Sequence, residues 1–224
     1  MSSADVPVVL VHGFASSFER NWREPGWVDL LEESGRTVVG VDLLGHGEAD
    51  KPYDPAAYAE LEELVAAQLP PGPIDGLGFS LGARVLLYLA GREPQRFQRL
   101  VVGGVGANLF RAEATEPIAQ AMDGGPLPDH PVAQAFARFA QNSGNDPKAL
   151  AACLRRPAPP IDPSALGGVT CPVLVVLGDQ DFAGPADPLM EALPNARLVT
   201  LKGVDHLRTP SDFGFIDAAL QFLT

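Results

Sequence analysis

Ile74-Asp75-Gly76-Leu77-Gly78-Phe79-Ser80-Leu81-Gly82 is the stretch on which the fold turns. Its first half reads as a strand. From Leu81 onward, Val85, Leu86 and Leu89 recur at helical spacing. A serine at so sharp a strand-to-helix corner adopts a strained backbone conformation, and small residues two before and two after it relieve the clash. The corner exposes the hydroxyl and aims the free N–H groups of the helix start at whatever binds there. The plainer reading of Ser80 is a helix N-cap. Partners elsewhere in the chain favour a nucleophile.

Working outward, short β-branched apolar runs at 6–11, 37–41, 74–78, 100–105, 173–177 and 197–201 read as strands. Their near-continuous hydrophobicity is that of parallel strands buried on both faces. Helical patterns alternate with them. One runs from Trp27 to a stop at Gly35, and another from Tyr58 to Pro70-Pro71. A third starts at Leu81, and the last, through Phe213, Ile216 and Leu220, is opened by Pro210. This alternation predicts a parallel sheet covered on both faces. Residues 107–170 break it, with short helical patterns at 118–122, 132–139 and 150–154 separated by Gly and Pro clusters. They read as an inserted helical lid within a single domain spanning 1–224, the alternative being a crossover elaborated by loops.

A serine hydroxyl needs a base that titrates near neutrality, which points to histidine. His12 and His46 each precede a glycine at the end of a strand pattern, and His130 lies in the proline-rich insertion. His206 alone follows a late strand, where it can swing over the sheet edge. The histidine in turn needs a carboxylate to fix its tautomer. Asp181, deep in the turn after the fifth strand, is preferred to Asp179, which can instead support that turn; the side chain of Asp205 is expected to point away. Donors for a developing oxyanion would be the N–H of Leu81 and, from His12-Gly13-Phe14, the N–H of Phe14. Phe110, Phe136, Phe139 and Phe182 are candidate pocket residues.

The remaining composition narrows the classes. With 224 residues, 46% of them hydrophobic, the chain can bury a sizeable core. A net charge of −12 argues against a nucleic-acid surface. Two cysteines, Cys153 and Cys171, make neither a disulfide framework nor a metal-ligand spacing, and are read as reduced thiols of a cytoplasmic protein. Residues 1–5 lack a basic leader region, and no apolar run is long enough to span a bilayer. Gly103-Gly104-Val105-Gly106 is only superficially a dinucleotide motif. No metal, cofactor or obligate protein partner is therefore expected.

Together with Ser80, Asp181 and His206, three stretches resemble the α/β-hydrolase superfamily of lipases, esterases and lyases: Val9-Leu10-Val11-His12-Gly13-Phe14, Asp42 through Pro52, and Gly203-Val204-Asp205-His206 with Pro210. The resemblance implies a three-layer α/β sandwich and a serine hydrolase of carboxylic esters or thioesters. It makes Ser80 the nucleophile, His206 the base, Asp181 the acid, and Gly45-His46-Gly47 a structural turn. Such relatives carry two further strands before the His-Gly strand. Only five residues precede Val6 here, so a wholly parallel sheet of about six strands is expected. Phe79 stands where many relatives have histidine, and its side chain is expected to face away from substrate. The same triad would also serve a C–C bond hydrolase, a cofactor-free perhydrolase, or a small-molecule receptor with little turnover.

Overall fold

The computed structural model describes residues 6–112 and 114–223, so segment 1–5, read above as lacking a basic leader region, lies outside the described residues. Six strands form one sheet: β1 (Val8–Val11), β2 (Val38–Val41), β3 (Ile74–Phe79), β4 (Phe97–Gly103), β5 (Val173–Gly178) and β6 (Ala196–Leu201). Their order is β2-β1-β3-β4-β5-β6 and every pairing is parallel. All six expected strands are present, each within three residues of its expected ends.

Period-2 alternation sends each strand's side chains to two cores. Val9, Val11, Val173 and Val175 face one, packed under α2 (Leu61–Ala66), α3 (Leu81–Arg92) and α8 (Asp187–Ala192). Val8, Leu10, Leu174 and Val176 face the other, under α1 (Trp27–Glu33) and α9 (Phe213–Leu223). The central strands β1, β3 and β5 are buried throughout, whereas the edge strands β2 and β6 are largely half-buried or exposed. The result is a three-layer sandwich. Both cysteines are buried and free, and no helix among the described residues is long and apolar enough to cross a membrane.

Between β4 and β5 the chain is helical: α4 (Glu116–Met122), α5 (Pro131–Gln141), α6 (Pro147–Leu154) and α7 (Pro163–Leu166). Capping signals explain two of the starts. Asp146 accepts from the N–H groups of Lys148 and Ala149, and Asp162 from that of Ser164, each with proline at the first helical position. The turn between α5 and α6 is tied to the body. Asn145 Nδ2 donates to the Ser16 carbonyl (3.1 Å), its Oδ1 accepts from Gly47 N–H (2.9 Å), and Arg20 donates to the Ser143 carbonyl.

Two details depart from the sequence reading. Pro210 belongs to a separate 3₁₀ turn, Thr209–Ser211, ahead of α9, because the Phe215 and Ile216 N–H groups are anchored on the Asp212 carbonyl. A π-helical turn at Glu19–Arg23 was not anticipated.

Candidate active site

Three strand ends converge on one point. At the corner between β3 and α3, Ser80 has φ +50° and ψ −110°, a conformation that side chains rarely adopt. The flanking glycines are there for space. A Cβ on Gly78 would lie 2.7 Å from the Ala83 backbone, and one on Gly82 would lie 2.2 Å from the Val11 carbonyl oxygen. Gly82 thus lets the start of α3 press against the end of β1.

His206, in the loop after β6, is 3% exposed, and its Nε2 lies 2.9 Å from Ser80 Oγ. Its Nδ1 lies 2.9 and 3.0 Å from the two oxygens of Asp181, in the turn after β5. Asp181 Oδ1 also accepts from Ala183 N–H (2.9 Å), which fixes the carboxylate. Asp179 faces elsewhere, accepting from Gly203 N–H (2.7 Å) and bracing the β6 turn. Asp205 Oδ1 accepts from Arg208 N–H (3.0 Å).

The loop after β1 is pinned peptide by peptide. Gly13 N–H donates to Asn21 Oδ1 (3.1 Å), while the Gly13 carbonyl accepts from His12 Nδ1–H (2.7 Å) and Ser16 N–H (3.2 Å). A trans peptide carries its N–H opposite its C=O, so anchoring the Gly13 carbonyl directs the Phe14 N–H away from His12. Neither the Phe14 nor the Leu81 N–H has an acceptor among the described residues.

His12 itself is locked. Leu43 N–H donates to its Nε2 (3.1 Å), which leaves the proton on Nδ1. Burial pushes its pKa down, outweighing the Gly13 carbonyl and Asp42, which pull it up. His46, also buried, has Nδ1 3.0 Å from the Leu44 carbonyl; burial and then the neighbouring His12 push it down to about 3.

A cavity of about 150 Å³ adjoins Ser80. Of the candidate pocket residues, Phe136 and Phe139 line it, and Phe14 lines it beside them. Phe182 stands behind that wall, its ring 4.4 Å from the His206 ring and edge-on to Phe136. Phe182 is thus not in the cavity wall as expected, and two further expectations fail. Phe110 packs against the core under α3 and is not in the cavity wall, because the 3₁₀ turn Ala107–Phe110 directs the chain beneath the insertion. Phe79 does not face away: its ring lies 4.9 Å from that of His206 and lines the cavity, since the corner throws consecutive side chains to the same end. Arg20, Asn21, Glu24, Leu207, Pro210 and Ser211 also line the wall, and nothing in the sequence reading pointed to them. The mixed polarity of residues 19–25 hid the π-helical turn that presents Arg20 and Asn21. No three His, Cys, Asp or Glu side chains among the described residues converge as metal ligands.

A sequence model described as "Alpha/beta hydrolase family" matches residues 8–218. A pimeloyl-[acyl-carrier protein] methyl ester esterase from Neisseria meningitidis is 38% identical over 117 residues, 50% of this chain and 42% of that protein. The chain therefore spans less than half the length of that curated relative. The dihydrolipoyllysine-residue acetyltransferase component of an acetoin cleaving system from Pseudomonas putida is 39% identical over 99 residues, covering 42% and 25%. Among solved structures, MenH from S. aureus superposes with a TM-score of 0.73 at 19% identity, covering 97% of this chain and 92% of that one. A 2-hydroxy-6-oxo-6-phenylhexa-2,4-dienoate hydrolase from Rhodococcus gives 0.71 at 22% identity, covering 98% and 91%. At such identities the structures share the fold.

Proposed function

The chain belongs to the alpha/beta hydrolase family, and on that footing we propose that it is a serine hydrolase of small carboxylic esters or thioesters. It works in the cytoplasm as one domain, with residues 107–170 as a lid. The observation that carries this reading is the unbroken line from Ser80 Oγ through the His206 ring to Asp181. Support for ester cleavage comes from the Neisseria relatives, named for a methyl ester.

In this mechanism Ser80 Oγ attacks the acyl carbon while His206 Nε2 takes its proton. Asp181 holds Nδ1–H and stabilises the charged ring. The tetrahedral oxyanion is met by the N–H groups of Phe14 and Leu81, neither of which has an acceptor among the described residues. His206 then protonates the leaving alkoxide or thiolate, leaving an acyl-Ser80. Water, deprotonated by His206, attacks that acyl group, and collapse releases the acid and regenerates Ser80.

A C–C hydrolase would need extra polar groups from the insertion, and three arginines there are engaged elsewhere. Arg155 pairs with Glu116 and Asp123, Arg156 bonds the Cys153 carbonyl, and Arg111 bonds the Phe182 carbonyl.

The test is intact-mass analysis after incubation with a fluorophosphonate, on wild type and Ser80→Ala. One adduct on wild type and none on the variant is expected. A well-folded wild type that stays unlabelled would overturn the proposal and favour a receptor.

A further inference from the structure

Phe136, on α5, packs among four rings of the site. Its ring stacks on Phe14 (5.9 Å between centroids, 12° between planes), stands edge-on to Phe182 (5.9 Å, 85°), and lies 5.9 Å from His206 and 6.3 Å from Phe139. One side chain of the insertion thus leans at once on an oxyanion-hole residue, on the neighbour of the triad acid, and on the base.

The cavity it closes is unlike at its two ends. Toward α5 the wall is aromatic, made by Phe14, Phe136 and Phe139; toward solvent it is polar, with exposed Arg20, Glu24 and Ser211. Leu207, next in the chain to His206, and Ser211 are both exposed, so a leaving group on their side of the base is within reach of its proton and has solvent beyond it. The acyl group is left with the aromatic end. The whole cavity, mouth included, is about 150 Å³, the volume that in an apolar site admits a benzene ring, so its aromatic end takes a group of at most that size.

Resting on the serine hydrolase reading, we propose that Phe136 is a specificity-determining residue that limits the acyl group to about six carbons or a single ring, while the open mouth leaves the alcohol or thiol unrestricted. A longer chain would have to displace the Phe136 ring from its stack on Phe14. The enzyme is then a short-chain acyl or aryl-acyl esterase, indifferent to its leaving group.

The experiment measures kcat/KM for p-nitrophenyl acetate, butyrate, hexanoate, octanoate and laurate, on wild type, Phe136→Ala and Phe136→Trp, with a melting curve for each. Each methylene that a pocket fits or refuses changes kcat/KM by roughly 10- to 200-fold, which makes the series sensitive. Wild type is expected to fall at least tenfold between hexanoate and octanoate. Phe136→Ala should raise the octanoate-to-butyrate ratio at least tenfold, and Phe136→Trp should lower it. A merely structural role would depress every ester together. Should the alanine variant not fold, the tryptophan variant alone reads the opposite shift. Equal ratios in folded variants, or laurate turned over by wild type as fast as butyrate, would overturn the size limit and leave the hydrolase reading intact. No turnover of any ester by a wild type that also resists fluorophosphonate would overturn both.

Discussion

Two histidine neighbourhoods flank the Ser80 corner, and they are superficially alike. Each has a buried ring at a strand end with a carboxylate within 3.5 Å: His206 with Asp181, and His12 with Asp42. They differ in what holds the ring nitrogens. Both nitrogens of His206 meet side chains, a carboxylate and a hydroxyl, so a proton has somewhere to go. Both nitrogens of His12 are occupied by backbone, the Gly13 carbonyl and the Leu43 N–H. Asp42 likewise serves backbone, accepting from Phe18 and Glu48 N–H at 2.7 and 2.8 Å. Burial and a nearby acid do not make a histidine a base; a free path for its proton does.

The sharpest way to break this contrast is to remove the proton path. His206→Ala should lower kcat by about 10⁴- to 10⁶-fold, and Asp181→Asn by about 10⁴-fold, with melting temperatures little changed. Ester hydrolysis under saturating substrate checks both. If Asp42→Asn cost as much as Asp181→Asn, the two neighbourhoods would not be functionally distinct.

A middle-sized effect belongs to His12. Its Nδ1–H orients the peptide that carries the Phe14 N–H, so His12→Ala should cost about 10²-fold in kcat with KM nearly unchanged, near the value of one oxyanion donor. Unlike His206→Ala, it should also lose about 1–3 kcal/mol of stability, read by urea unfolding, because Leu43 N–H is left buried without an acceptor.

The smallest effect is a slope. His46 stays neutral in the folded protein down to about pH 3, whereas an unfolded histidine binds a proton below about pH 6.5. Below that pH the unfolded state holds more protons, so stability must fall as pH drops, by up to about 1.4 kcal/mol per pH unit from His46 between 6.5 and 3. His12, shifted in the same direction, steepens the fall. Urea midpoints at pH 7 and pH 5, on wild type and His46→Gln, measure it. A slope unaltered in His46→Gln would mean the ring takes up a proton without unfolding.

The sheet was legible because β-branched runs such as Val173–Gly178 are buried on both faces and need no polar face to interpret. The serine corner was legible because its glycines answer a steric demand that leaves a spacing in the chain. His206 could be read from its place after the last strand, and Asp181 from its depth in the turn. The cavity wall could not. Phe110 and Phe136 look alike as aromatics in a helical insertion, yet one ends the 3₁₀ turn Ala107–Phe110 and the other sits on α5, a difference that their spacing does not show. Asn21 was hidden for another reason. It is polar, between charged Arg20 and the buried Trp22, in a π-helical turn whose side-chain period matches neither template. Its partner is eight residues back, at Gly13, a pairing that no periodicity announces.

The backbone at Ser80 carries a consequence of an evolutionary kind. A glycine there would adopt φ +50° without steric penalty, so the substitution that relieves this strain also deletes the hydroxyl. A lineage drifting under selection for stability alone would be drawn toward that replacement. What holds Ser80 in that conformation is the packing around the corner, where Gly78 and Gly82 leave room for the close approach of β1 and α3.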